Sequence, residues 1–209
     1  WADTAVETAR FLENHMWLAE DQAFAHALDA HDPGANPSAA SGPAFTAANA
    51  AVVNAFSVVA AACSAPGMQG RARALAERLW RRRSARGLLA RWDEGPDCYL
   101  VDQAAMLEAL LTLWSRYAED RWLEWAGELW EAVDGYFSVS GNSVLLADVA
   151  APANVPPASV AIYRHRVGRL GRTETPLADN ARIAACLAQL GRAEKEQELC
   201  ERAQHMLEQ

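Results

Sequence analysis

The sequence predicts an all-helical protein built from antiparallel helical hairpins in two layers. Alanine is abundant, whereas the runs of β-branched residues that are typical of strands are scarce. Apolar residues recur with helical spacing along most of the 209-residue chain. Amphipathic segments alternate with segments that are apolar on nearly all sides, and an outer and an inner layer of helices would produce that alternation.

The amphipathic segments are predicted to form the outer layer. In residues 121–137, Trp122 and Trp130 belong to an apolar stripe with helical spacing, and acidic side chains occupy the opposite side. These two tryptophans are therefore expected in the core. The remaining amphipathic segments are residues 3–18, 70–83 and 193–208.

The apolar segments are predicted to form the inner layer, covered by protein on most sides. Residues 45–62 and 101–117 are apolar nearly all round, and residues 177–190 share this character more weakly. Residues 156–171 are a further candidate. The spacing fits only one regular inner helix in this part of the chain, so either 157–168 or 177–190 departs from the pattern.

Helix-breaking residues separate the predicted helical segments. Prolines and glycines mark loops in the connections, and the short links at residues 116–120 and 190–194 are predicted to be tight turns between helices. A weak repeat runs through the inner segments, because each of three begins with a carboxamide followed by alanine. The three carboxamides are Asn49, Gln103 and Asn180, and an aspartate precedes two of them, Asp102 and Asp179.

Composition and charge exclude several classes of function. The formal net charge of −8 argues against a nucleic-acid partner. Arginines cluster between residues 71 and 91, where a solvated outer helix face is favoured over a phosphate-binding patch. The four cysteines lie far apart without metal-ligand spacing, which predicts reduced thiols, no metal and a cytoplasmic location.

One segment, residues 44–63, is long and apolar enough to suggest a membrane span. It carries Asn49, Asn54 and Ser57, and its apolar residues are mostly alanine and valine. These features favour a buried helix of a globular domain, so no membrane partner is predicted.

The middle of the chain resembles a known family. Residues 87–137, which begin GLLARWDEGPDCYLVDQAAMLEALLTLW, resemble the C-terminal region of thioredoxin-domain-containing proteins of the spermatogenesis-associated (YyaL-like) family. Residues 49–63 and 156–171 are similar to two further helices of that family. The matching positions in the central stretch are Tyr99, Leu100, Asp102, Ala104, Leu107, Leu110, Leu111, Trp122, Leu123, Ala126, Leu129, Tyr136 and Phe137.

The resemblance implies an (α/α)6 toroid akin to N-acylglucosamine 2-epimerases and other six-hairpin proteins that act on carbohydrates. It also implies a thioredoxin-like domain earlier in the same polypeptide. Residues 1–209 are then one all-helical domain, the C-terminal part of a longer chain and a partial or reduced toroid. Two positions depart from the family pattern, with Gln103 in place of a tyrosine and Ala158 in place of an asparagine.

In a toroid the N-terminal ends of inner helices open onto the central cavity, where free N–H groups favour oxygen-rich ligands. Because sugar hydroxyls suit carboxylates and carboxamides, the candidate ligand-binding residues lie at these ends, with one tryptophan in the preceding loop. They are Asn49, Trp92, Asp102, Gln103, Asp179 and Asn180. The alternative for Asp102 and Asp179 is simple capping of their own helices.

Two residues are candidates for catalysis. Glu108 is a lone carboxylate in an apolar helix, and a position facing the cavity would raise its pKa as a general acid requires. The alternative is a structural glutamate with a partner. His165, between two arginines, could shuttle a proton as epimerase-type chemistry needs, although a solvent-facing basic turn is the simpler interpretation.

These residues predict a domain that binds a carbohydrate or other small polar ligand. The alternative is a structural or interaction module attached to the thioredoxin-like domain, and a third hypothesis is a sugar isomerase. No phosphate-cradling glycine loop, nucleophile arrangement or zinc spacing occurs in the sequence, so no cofactor is predicted.

Overall fold

A computed structural model of the chain describes residues 1–25, 27–28, 40–41, 43–92, 98–138, 145, 148–149 and 176–208. Within these residues it contains seven α-helices and six two-residue strands. The helices are α1 (Ala2–His15), α2 (Thr46–Cys63), α3 (Pro66–Arg81), α4 (Leu100–Tyr117), α5 (Asp120–Phe137), α6 (Leu177–Glu194) and α7 (Gln197–Leu207). The strands are β1 (Trp17–Leu18), β2 (Ala23–Phe24), β3 (Ala27–Leu28), β4 (Ala40–Ser41), β5 (Cys98–Tyr99) and β6 (Asp148–Val149). The all-helical prediction is confirmed.

The helices differ from the predicted segments mainly at their ends. Helix α3 begins four residues early because Pro66 occupies its first turn, where the missing N–H of proline costs nothing. The predicted turn at 190–194 is wrong, since α6 runs through it to Glu194 and the turn follows at Lys195. The predicted helix at 156–171 lies outside the described residues.

Helices α2, α4 and α6 are three copies of one inner element. Each is 18 residues long, and each ends at a residue in the left-handed region that returns its N–H to the carbonyl four residues earlier. The outer helix then begins two residues later. The three left-handed residues are Ser64 (φ 53°), Ala118 (φ 52°) and Lys195 (φ 61°). The weak sequence repeat therefore corresponds to a real structural repeat.

Outer helices are also followed by a repeated feature, a short antiparallel pairing. After α1, Trp17 pairs with Phe24, and after α3, Arg83 pairs with Leu89. After α5, Ser138 pairs with Leu145. Helix α1 is therefore the outer helix of a preceding unit, and three inner–outer hairpins follow it.

The core lies between the two layers. Helix α4 is central, packing against α2, α5 and α6. Trp122 and Phe137 from α5 are completely buried against it, and Trp130 is 8% exposed. The prediction that Trp122 and Trp130 are core residues is confirmed.

Helix α2 is less covered than its composition predicts. Among the described helices it alone is long and apolar enough to cross a membrane, with a mean hydropathy of 1.6, yet only 39% of its residues are buried. It packs on α3 and α4, but Ala48, Ala51, Ala55 and Val58 form an exposed stripe on the face opposite to that packing. The expectation of cover on most sides is therefore wrong for α2, because only one side of the helix is occupied by described neighbours.

Most of the arginine cluster lies on outer helix α3 or directly after it, where carboxylates pair with several of its members. Arg73 forms an ion pair with Glu119, and Arg83 forms one with Glu128 at 2.8 Å. The guanidinium of Arg83 also stacks on Trp80, 3.3 Å from the ring centroid. Carboxylates and aromatic rings thus take up these charges, in agreement with an outer helix face.

Candidate functional site

The three carboxamides of the inner helices make the same set of hydrogen bonds. Asn49 accepts a hydrogen bond at Oδ1 from the Phe24 amide at 2.8 Å, and its Nδ2 donates to the Phe24 carbonyl at 3.0 Å. The second N–H of the amide group donates to the Phe45 carbonyl, four residues back, at 2.9 Å. Asn49 thus ties the strand that follows α1 to the first turn of α2.

Gln103 and Asn180 repeat this arrangement. Gln103 exchanges both hydrogen bonds with the backbone of Leu89 (2.9 and 2.7 Å) and donates to the Tyr99 carbonyl. Asn180 exchanges both with Leu145 (2.7 and 3.0 Å) and donates to the carbonyl of the residue four before it. The glutamine side chain, one methylene longer, serves the same purpose as the two asparagines.

These contacts give Asn49, Gln103 and Asn180 a structural role, as carboxamide clamps. All three side chains are at most 4% exposed, and both amide N–H groups of each are already donated to backbone carbonyls. Contact with a ligand would have to break a clamp. The recurrence that suggested a cavity rim is therefore explained by the fold.

Asp102 is placed differently from its predicted role as a cap. It is the third residue of α4, and Tyr99 is the N-cap residue of that helix, with no side-chain capping bond. Its Oδ1 instead accepts a hydrogen bond at 2.8 Å from the Ala47 amide in the first turn of α2. Asp102 thus caps the neighbouring helix, and the prediction that it caps its own helix is wrong. The same prediction fails for Asp179, because Pro176 is the N-cap of α6.

Only one of the two carboxyl oxygens of Asp102 accepts a hydrogen bond. The residue is 0% exposed, and Oδ2 has no hydrogen-bond partner. Burial raises the pKa of Asp102 to about 7. The charge of Arg91 and the hydrogen bond from Ala47 lower this pKa, and the charge of Asp179 raises it. Asp102 is thus a buried acid that changes its charge near neutral pH.

Asp179 occupies the equivalent position on α6, one residue before its clamp. It is half-buried, and burial raises its pKa while the charge of Arg182 lowers it. Asp102 and Asp179 are close enough to influence each other electrostatically. The N-terminal ends of α4 and α6 therefore bring two carboxyl groups together, as the sequence predicted for a cavity end.

Arg91, whose charge acts on Asp102, was not predicted as a site residue. Its guanidinium sits over the rings of Phe45 and Tyr99, 5.3 and 4.9 Å from their centroids, and its Nε is buried without a hydrogen-bond partner. Trp92, predicted at the cavity mouth, is half-buried and packs edge-to-face on Phe45 at 6.1 Å. Arg91 directly precedes Trp92 in the loop before an inner helix, and that position is the sequence signal by which it could have been found.

A concave groove runs along the exposed face of the inner helices, with a volume of about 430 Å³. Its lining is mostly small and apolar, with three polar side chains. The lining residues are Ala51, Asn54, Ala55, Val58, Val59, Ala105, Glu108 and Arg182. All three inner helices contribute to it.

Glu108 faces this groove and has a partner. Its Oε2 lies 3.3 Å from Nε of Arg182, and both side chains are almost half exposed. The ion pair agrees with the alternative that Glu108 is a structural glutamate with a partner. Its position agrees with the prediction that it faces the cavity. The other predicted catalytic residue, His165, lies outside the described residues.

Helical spacing connects the groove with the buried acid. Asp102 precedes the groove residue Ala105 by three positions, and Asp179 precedes Arg182 by three. Residues three apart lie on the same face of a helix, so both aspartates lie one turn from the groove toward the N-terminal ends of the helices. We call these two aspartates, together with Arg91, whose charge acts on Asp102, the head of the groove; none of the three belongs to the groove lining itself.

No family model matches the chain, and no curated protein matches its sequence. Solved structures do match its fold. A D-mannose isomerase superposes with a TM-score of 0.77 at 15% identity, covering 99% of this chain and 53% of the isomerase. An unsaturated glucuronyl hydrolase specific for heparin gives a TM-score of 0.69 at 13% identity, covering 97% of this chain and 53% of the hydrolase.

A third similar structure is an α-1,6-mannanase of glycoside hydrolase family 76 from Salegentibacter sp. HEL1_6, in complex with α-1,6-mannotriose. It gives a TM-score of 0.65 at 11% identity, covering 100% of this chain and 69% of the mannanase. That mannanase is an inactive variant in which two consecutive aspartates are replaced. The chain spans about half the length of the isomerase and the hydrolase. It has the α/α-toroid fold that these carbohydrate-processing enzymes of the six-hairpin glycosidase-like superfamily share.

Proposed function

We propose that the chain binds a carbohydrate in the concave groove, with the ligand hydroxyls directed to the head of the groove. The observation that carries the proposal is a pair of unsatisfied buried atoms on Arg91 and Asp102, two residues whose charges interact. Arg91 Nε is a donor without an acceptor, and Asp102 Oδ2 is an acceptor without a donor. Buried polar atoms in folded proteins are almost always paired, so these two atoms are the polar groups that a ligand hydroxyl would best satisfy.

A sugar hydroxyl suits both of these atoms chemically. A hydroxyl accepts one hydrogen bond and donates another, so it can satisfy an N–H group and a carboxylate oxygen together. The groove supplies the rest of a sugar site, because Ala51, Ala55 and Ala105 offer small apolar surfaces for ring C–H groups. Asn54, Glu108 and Arg182 add polar groups around them.

The fold supports the same ligand class. The matching structures include enzymes whose names specify mannose, glucuronyl groups and α-1,6-mannan. A thioredoxin-like partner domain rests on the sequence resemblance alone.

Isothermal titration of the 209-residue chain with D-mannose and α-1,6-mannotriose tests the proposal. Asp102→Asn keeps an oxygen for the Ala47 N–H but removes the carboxylate, so we expect it to weaken sugar binding about tenfold. Glu124→Gln is the matched control, since Glu124 is exposed on α5 away from the groove, and it should bind as the wild type does. Failure of both sugars to bind, or equal binding by Asp102→Asn, would contradict the proposal.

A further inference from the structure

The groove extends along the inner helices well beyond its head. On α2 the lining runs from Ala51 to Val59, which is about 12 Å along the helix axis at a rise of about 1.5 Å per residue. Asp102 lies one turn before the lining residue Ala105, so the head adds about 4.5 Å toward the N-terminal ends of the helices. A single hexose with its hydroxyls at the head would therefore leave the far end of the groove, around Val58 and Val59, empty.

A second set of polar groups lies midway along this length. Asn54 on α2 and Glu108 on α4 both line the groove, and each follows the clamp residue of its helix at the same spacing. The structural repeat therefore places the two side chains at the same level. Glu108 lies about 9 Å beyond Asp102 along the axis of α4. The groove thus offers polar contacts at two levels, one at the head and one farther along.

The amide group of Asn54 is available to a ligand. The residue is half-buried, and its side chain makes no hydrogen bond within the described part of the chain. A primary amide provides both donors and an acceptor, so it can bind two neighbouring sugar hydroxyls. Glu108 lies beside it as a second acceptor, because a carboxylate paired with Arg182 still accepts hydrogen bonds from hydroxyls.

The groove is open to solvent along its length. Ala51, Ala55 and Val58 are exposed, and the side chains of Glu108 and Arg182 are 42% and 44% exposed. An enclosed pocket would take up a small ligand whole, whereas an open groove lets a longer ligand lie along it with its ends in solvent. The shape of the lining therefore suits a linear ligand.

We infer, on the basis of the proposed function, that the groove binds an oligosaccharide chain of at least two sugar residues, lying parallel to the inner helices. One sugar residue directs its hydroxyls to the head of the groove. The next lies against Ala55 and forms hydrogen bonds with Asn54 and Glu108. Asn54 is thus the residue by which the groove distinguishes a chain from a free monosaccharide.

Titration calorimetry with D-mannose and α-1,6-mannotriose tests the inference. We expect the wild type to bind mannotriose at least about tenfold more tightly than mannose, because the second sugar residue adds one or two hydrogen bonds. Asn54→Leu removes the amide with little change of size, so it should bring the two dissociation constants to within about threefold of each other while the affinity for mannose stays unchanged. Asn14→Leu is the matched control, since Asn14 is exposed on outer helix α1, and it should leave both affinities unchanged.

Three results would overturn the inference while leaving carbohydrate binding intact. The wild type could bind mannose as tightly as mannotriose, which would mean that only one sugar residue is held. Folded Asn54→Leu could keep the full preference for mannotriose, or it could lose affinity for both sugars equally, and either result would remove Asn54 from the second level. If neither sugar binds to the wild type, the proposed function itself fails and the inference with it.

Discussion

At the scale of single residues, Asp102 combines a structural and a chemical role. Its one satisfied oxygen caps α2 from α4, and its other oxygen is buried without a partner. The sequence identified the residue as a candidate for ligand binding, and a cap on its own helix was the alternative. Local spacing cannot reveal a cap on another helix, because the bond joins residues 55 positions apart.

The raised pKa of Asp102 makes the stability of the protein depend on pH. Because its pKa rises from 3.8 to about 7 on folding, the folded state binds the proton more tightly than the unfolded state. The stabilisation is greatest below pH 4 and is lost as the pH rises to about 7. Its total is on the order of 4 kcal/mol, at 1.36 kcal/mol per pKa unit.

Asp102→Asn should therefore stabilise the protein more at pH 8 than at pH 5. Asparagine is uncharged at both values and keeps an acceptor for the Ala47 amide, so it avoids the cost of a buried carboxylate. Urea unfolding at the two pH values measures the difference. The same change in unfolding free energy at pH 5 and pH 8 would show that Asp102 does not titrate with a raised pKa.

At the scale of the elements, the carboxamide clamps explain how each inner helix is attached to the chain before it. The periodicity of apolar residues predicted the helices, and the recurrence of Asn49, Gln103 and Asn180 correctly indicated a repeat. The partners could not be predicted, because each clamp reaches back by 14 to 35 residues to a backbone segment with no sequence signature. Only the fold brings those segments together.

Gln103→Met tests the clamp, since methionine keeps the length and removes the amide. The substitution leaves the amide and carbonyl of buried Leu89 without partners, and we expect it to cost about 3 kcal/mol of unfolding free energy. Gln204→Met is the matched control, because Gln204 is exposed on α7. It should change the free energy of unfolding by less than about 0.5 kcal/mol. A cost for Gln103→Met as small as that of the control would show that the clamp does not stabilise the fold.

At the scale of the whole molecule, the described residues form an outer helix and three inner–outer hairpins, and the chain spans about half the length of two similar toroids. The sequence predicted the two layers and the inner helices at residues 45–62 and 101–117, and it left open whether 157–168 or 177–190 is a regular inner helix. It did not predict that α2 exposes a face, because an alanine-rich helix has the same composition whether one side or all sides are covered. Exposure is decided by neighbours distant in sequence.

Whether this face of α2 is exposed can be tested by replacing valine with alanine at two positions of the helix. Val53 is completely buried, whereas Val58 is 42% exposed on the groove wall. Val53→Ala removes packed atoms and leaves a cavity, so it should cost about 2 kcal/mol of unfolding free energy. Val58→Ala removes atoms that contact solvent, and alanine favours a helix, so its cost should lie within about 0.5 kcal/mol of zero. Equal costs at both positions would mean that the groove face of α2 is covered in solution, and a ligand could then enter only from the head of the groove.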